Sequence, residues 1–164
     1  MECRMDGRNA LITGSSRGLG RAMALNFAAS GANVVICGRR ENLLSETLKE
    51  VEAVSDTKVF AFVGDVSTAA GVTELLDNAE NALGHIDVLI NNAGASLRKP
   101  FCEISDEEWV NDFEVKVYAA IRTCRHVLPG MMERKWGRII NVLNIGAKAP
   151  PGGGAPTAVS RATG

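Results

Sequence analysis

The run Asn9-Ala10-Leu11-Ile12-Thr13-Gly14-Ser15-Ser16-Arg17-Gly18-Leu19-Gly20 constrains this chain more than any other stretch. It reads as a buried strand, a glycine-rich turn and the first turn of a helix. A helix N-terminus carries unpaired N–H groups and the positive end of the helix dipole, so it attracts a phosphate. Gly14 suits the backbone of a tight turn, Gly18 leaves no side chain where a pyrophosphate approaches, and Gly20 lets helix and strand come close.

The rest of the chain alternates in the same way. Leu19, Met23 and Phe27, with Ala22 beside them, predict one apolar helix face, closed near Gly31. Asn33–Cys37 reads as a second buried strand, Leu44, Leu48 and Val51 as a second helix, and Val59–Val63 as a third strand. Val72, Leu75, Leu76, Ala79 and Leu83 mark a third helix, ended by Gly84, and Ile86–Ile90 a fourth strand. Ser105-Asp106-Glu107-Glu108 is a capping box opening a long helix. Its core stripe is expected at Trp109, Phe113, Val117, Ile121 and Cys124, with Pro129-Gly130 interrupting it. Arg138–Leu143 is the expected fifth strand, and Pro156 sits at the start of a last helix.

Strands alternating with helices predict an α/β fold: a doubly wound, Rossmann-like parallel sheet of about five strands in the order 3-2-1-4-5. The 164 residues are expected to form a single dinucleotide-binding domain. A net charge of −1 gives no electrostatic reason to expect nucleic acid or an anionic membrane as partner. No apolar run is long enough to span a bilayer, and Met1–Arg8 lacks the apolar core of a secretory leader. Cys3, Cys37, Cys102 and Cys124 show no metal-ligand spacing with His85 or His126. They read as reduced thiols of a cytoplasmic protein, and no metal is expected.

The Thr-Gly-x-x-x-Gly-x-Gly run on strand one and Asn91-Asn92-Ala93-Gly94 after strand four together resemble the short-chain dehydrogenase/reductase family. Within it the chain looks most like the 3-oxoacyl-carrier-protein reductase type. The resemblance implies a nicotinamide cofactor held by Gly14, Ser15, Ser16, Arg17, Gly18, Leu19, Gly20, Arg39, Asp65, Val66, Asn91, Ala93 and Gly94. Gly38-Arg39-Arg40 stands where an acidic residue would hold the adenosine ribose hydroxyls. Guanidinium groups attract a 2′-phosphate, so NADP(H) is expected over NAD(H); a solvated basic loop is the plainer reading. Asp65 fits an adenine contact or, equally, a helix cap.

The implied activity is oxidoreduction of a small-molecule carbonyl or alcohol. The family's serine, tyrosine, lysine and asparagine fall at Asn144, Thr157, Arg161 and Lys116, so all four catalytic positions are altered. An aliphatic hydroxyl is a far weaker acid than a phenol, and an arginine does not deprotonate. Two other readings stay open: a non-redox binding or structural protein, and an isomerase or dehydratase using Lys116 and Asn144. Tyr118, the sole tyrosine, lies two residues past Lys116, roughly 200° around a helix, and should point elsewhere. Family members continue for about another third of the chain. A fragment lacking the C-terminal strands is therefore expected, with a homo-oligomer for the full-length form.

Overall fold

A computed structural model describes residues 4–164; Met1–Cys3, including the expected thiol of Cys3, lie outside the described residues. The elements are β1 (Asn9–Thr13), α1 (Gly18–Ala29), β2 (Asn33–Gly38), α2 (Glu41–Glu52), β3 (Val59–Val63), α3 (Ala69–Leu83) and β4 (Val88–Asn91). They continue as α4 (Asp106–Phe113), α5 (Ala119–Glu133), β5 (Arg138–Asn141) and α6 (Thr157–Thr163). The strands form one parallel sheet in the order β3-β2-β1-β4-β5, as the alternation predicts.

The central strand explains the two-layered core. Every residue of β1 is buried, so its side chains feed both faces of the sheet. Leu11, Val35 and Leu89 point to one face, where Val72, Leu75 and Leu76 of α3 and Val127 and Met131 of α5 cover them. Ala10, Ile12, Val34, Ile36 and Ile90 point to the other, under Ala24 and Ala28 of α1 and Leu44 and Val51 of α2. Leu19, expected on the apolar face of α1, is instead 58% exposed; small residues there let the helix lie close to the sheet.

Two further local expectations change. Pro129 lies inside α5 rather than ending a helix. Pro129 and Arg125 both face solvent, where water can satisfy the carbonyl that the proline leaves unpaired. The expected stripe from Trp109 to Cys124 is not the buried face either, since Ile121 is 42% exposed. The buried positions along this rod are Asp112, Lys116, Ala119, Thr123, Val127 and Met131. One wide π-type turn, Glu114–Tyr118, joins α4 to α5 and shifts the helical phase. Polar residues hold the inner face there because each finds a partner. Among the described residues no strand pairs beyond β5, where Ile140 is 44% exposed.

Candidate functional site

The turn between β1 and α1 is braced from beneath. Ser15 Oγ donates to Ile12 O at 2.7 Å and accepts from the Cys37 N–H at 2.9 Å. The Asn92 amide donates to Thr13 O and Gly14 O, each at 3.0 Å. Gly14 has φ +66°, and a Cβ there would come within 2.8 Å of Ala93 Cα. Gly18 has φ +58° and faces open space. Arg17 precedes α1 without capping it through its side chain, and no acid stands in the first helical turn. The amides at that N-terminus therefore remain available to a ligand.

Above this turn, along the C-terminal strand ends, runs a cleft of about 1090 Å³. Gly14, Ser16, Arg17, Arg39, Asp65 and Val66 line one part, and Ala93 and Gly94 another. Arg17, Arg39 and Arg40 give it three guanidinium groups. Ser15 lies beneath the cleft, Gly20 fills the contact between α1 and the turn, and Leu19 faces solvent. Asn91 lines a smaller neighbouring pocket and bridges to β5, donating to Asn141 Oδ1 at 2.9 Å. Backbone amides, bare glycine and clustered cations fit a long phosphate-bearing ligand.

Asp65 is not the cap of α3; Thr68 fills that role, accepting from the Gly71 N–H at 3.0 Å. Burial raises the Asp65 pKa, but hydrogen bonds from Ser67 and the Arg39 guanidinium outweigh it and hold the carboxyl below its ordinary range. The Arg39–Asp65 separation is 3.6 Å. At the end of β2, burial pushes the Cys37 thiol up to about 12.

Asp112 and Gly94, which line the cleft, back onto α6. Three of the four altered catalytic positions come together there. Lys116 Nζ pairs with Asp112 and donates to Thr157 Oγ1 at 2.9 Å. Arg161 donates to Val142 O at 2.5 Å, while its buried Nε has no hydrogen-bond partner among the described residues. Burial lowers the Lys116 pKa, Asp112 opposes that, and Arg161 adds to it. The fourth position, Asn144, is exposed just before the short turn Ile145–Ala147. Among the described residues no hydrogen bond joins it to Lys116, Thr157 or Arg161. Tyr118 is 47% exposed, its ring 5.6 Å from the Arg122 guanidinium, and lies away from this cluster as its helical angle predicts.

Two members of the cluster escaped the sequence reading. Asp112 accepts from Ser160 Oγ at 2.5 Å, and both residues are buried. The only signal for Asp112 was its place four residues before Lys116 on a helix. Ser160 carried none.

The sequence profile described as "short chain dehydrogenase" matches residues 8–162. The chain is 35% identical over 150 residues to the uncharacterized oxidoreductase YvrD of Bacillus subtilis (strain 168), covering 92% of this chain and 56% of that protein. It is 37% identical over 144 residues to the ketoacyl reductase HetN of Nostoc sp., covering 88% and 50%. The L-sorbose reductase of Gluconobacter frateurii, solved with NADPH and L-sorbose, superposes with a TM-score of 0.95 at 34% identity, covering 99% of this chain and 62% of that one. A 3-oxoacyl-(acyl-carrier-protein) reductase from Agrobacterium tumefaciens with NADP bound gives 0.91 at 28% identity, covering 99% and 62%. The chain spans about half the length of the curated relatives it matches.

Proposed function

The chain belongs to the short-chain dehydrogenase family, and on that premise we propose that it is an NADP(H)-binding oxidoreductase acting on a carbonyl or alcohol group. The observation that carries the cofactor choice is the end of β2, where Gly38, Arg39 and Arg40 line the cleft with no carboxylate among them. A ribose 2′-phosphate adds negative charge where these cations gather with Arg17.

In this reading the amides from Gly14 to Gly20, with Ser15, Ser16 and Leu19 shaping the loop, receive the pyrophosphate at the start of α1. Arg17 and Arg39 take the 2′-phosphate. Asp65 and Val66 meet the adenine, and Asn91, Ala93 and Gly94 lie beside the nicotinamide half. Arg161 offers its charge, and the Nε–H that has no partner among the described residues, to the ribose hydroxyls there. When bound, the dihydronicotinamide supplies a hydride. In the same reading Lys116, Thr157 and Arg161 serve the substrate side, while Asn144 is exposed in the segment after β5.

The names of two similar proteins, a ketoacyl reductase and an L-sorbose reductase, support a carbonyl substrate. Among the described residues no helix is long and apolar enough to cross a membrane, and no group of side chains is placed to hold a metal ion. We assign the full-length form to the cytoplasm as a homo-oligomer, supported by free described cysteines and apolar side chains exposed on α5. Titration of nicotinamide fluorescence with NADPH and NADH tests the reading. NADPH should bind at least tenfold more tightly; equal affinity overturns the cofactor choice, and no binding overturns the function.

A further inference from the structure

Two positions that differ from the family resemblance lie 41 residues apart in the chain, yet their side chains bond directly. At 116 the chain carries a longer, cationic side chain than the implied asparagine. At 157 it carries a shorter one than the implied tyrosine. The lysine therefore reaches toward a hydroxyl that has receded.

Hydrogen-bond accounting then decides which group can serve a substrate oxygen. Thr157 Oγ1 accepts from the Leu97 N–H at 2.9 Å and from Lys116 Nζ at 2.9 Å. Its own hydrogen is directed to Asp112 Oδ1 at 3.4 Å. A hydroxyl has one donor and two acceptor sites, so Thr157 has nothing left to give. Lys116 has three N–H donors. Two go to Asp112 and Thr157, and the third has no partner among the described residues. Lys116 also lines the small pocket beside Arg161, Ser160 and Asn141.

We propose that Lys116 Nζ, not residue 157, exchanges the proton with the substrate oxygen, and that Asp112 and Thr157 are positioning residues for it. This rests on the oxidoreductase reading above. In reduction the carbonyl carbon gains a hydride and the C=O π pair moves onto oxygen. That oxygen takes a proton from the Lys116 ammonium, leaving a neutral amine, and water returns the proton. In oxidation the neutral amine takes the hydroxyl proton as the hydride leaves carbon.

The surroundings suit a proton that must come and go. Charged groups face Lys116 from two elements: Asp112 on α4 favours the ammonium, and Arg161 on α6 disfavours it. Asn91 of β4, Thr123 of α5, and Thr157 and Ser160 of α6 bring only uncharged groups to this region. Burial holds the amine below the usual lysine range, nearer a working pH.

The test uses the 164-residue chain with NADPH, taking ethyl acetoacetate and L-sorbose as carbonyl probes. Lys116→Met would strand the buried Asp112 carboxylate, so Lys116→Arg, which keeps the ion pair, is the primary variant. K116R should lose roughly 100-fold or more in kcat while its NADPH Kd stays within about twofold, since the fixed guanidinium does not release a proton. In the wild-type chain with 15N-labelled lysine, the Nζ resonance absent from K116R should titrate below those of the exposed lysines. The pH profile of kcat/KM should follow it. Unchanged turnover in K116R, a Lys116 resonance titrating with the exposed lysines, or no carbonyl turnover in the wild-type chain overturns this inference and leaves the cofactor reading standing. No NADPH binding by the wild-type chain overturns both.

Discussion

The Asn92 side-chain amide donates to the Gly14 carbonyl at 3.0 Å, tying the segment after β4 to the turn after β1. Its second N–H reaches Thr13 O at the same distance, and the Thr13 hydroxyl accepts from the N–H groups of Asn92 and Ala93. The motif on strand four thus shapes the motif on strand one. Asn92→Leu should cost about 1–3 kcal/mol, because it strips partners from carbonyls in a crowded turn. Urea denaturation gives the cost, and NADPH affinity should fall with it. An unmoved midpoint would show that the turn keeps its shape without the amide.

Two glycines of the turn should fail in different ways. A Cβ on Gly20 would overlap Gly14 O and come within 2.6 Å of Asn92 Nδ2, so Gly20→Ala should act mainly on stability. Gly18 has φ +58° with nothing nearby, so Gly18→Ala should cost the fold only about 1–2 kcal/mol of left-handed strain. Its Cβ would occupy space we assign to the pyrophosphate. G18A should therefore lose NADPH binding while retaining most of its melting temperature, and the reverse ranking would count against the assignment.

Arg39→Ala separates charge recognition from shape. NADPH affinity should fall roughly tenfold or more while NADH affinity changes little. The variant also changes a titration. The Asp65 carboxyl, depressed in the folded chain, contributes stability that is present above its unfolded pKa and lost as pH falls through the folded value. Without Arg39 that contribution should shrink, and acid unfolding should begin at higher pH. Identical acid profiles would place Arg39 too far into solvent to matter.

Cys37 predicts behaviour at the alkaline end. Its pKa is about 12 in the folded chain against an ordinary 9.0. Between those values the unfolded thiol has lost a proton that the folded one keeps. The folded state binds more protons, so stability falls as pH rises, by up to roughly 1.4 kcal/mol per pH unit. Cys37→Ala should flatten that part of the curve. In the native chain a thiol reagent should find exposed Cys102 long before buried Cys37.

The sheet order was legible because β1, β2 and β4 are apolar runs separated by helices that announce their own ends. Boundaries slipped where a polar side chain served the backbone. Asp87, placed in strand four by its apolar neighbours, instead sits buried below β4, accepting from the Asn9 N–H at 3.1 Å. The glycine turn was legible too, since its chemistry lies within twelve consecutive residues. In the cluster at Asp112, Lys116, Thr157 and Ser160, the family resemblance marked Lys116 and Thr157, but neither Asp112 nor Ser160 was legible, nor was the contact among the four. Its members come from two distant helices, and apolar periodicity is blind to a buried face built of paired polar groups. The inward turn of Lys116 also depends on the wide turn from Glu114 to Tyr118, which has no local signature.

Ser15, pinned between Ile12 and Cys37, has a kinetic corollary. A loop so fastened keeps its contour whether or not a guest is present, so capture should proceed in one step, with no lag for refitting. With Arg17, Arg39 and Arg40 at the rim, a polyanion would be drawn in faster from dilute buffer than from brine.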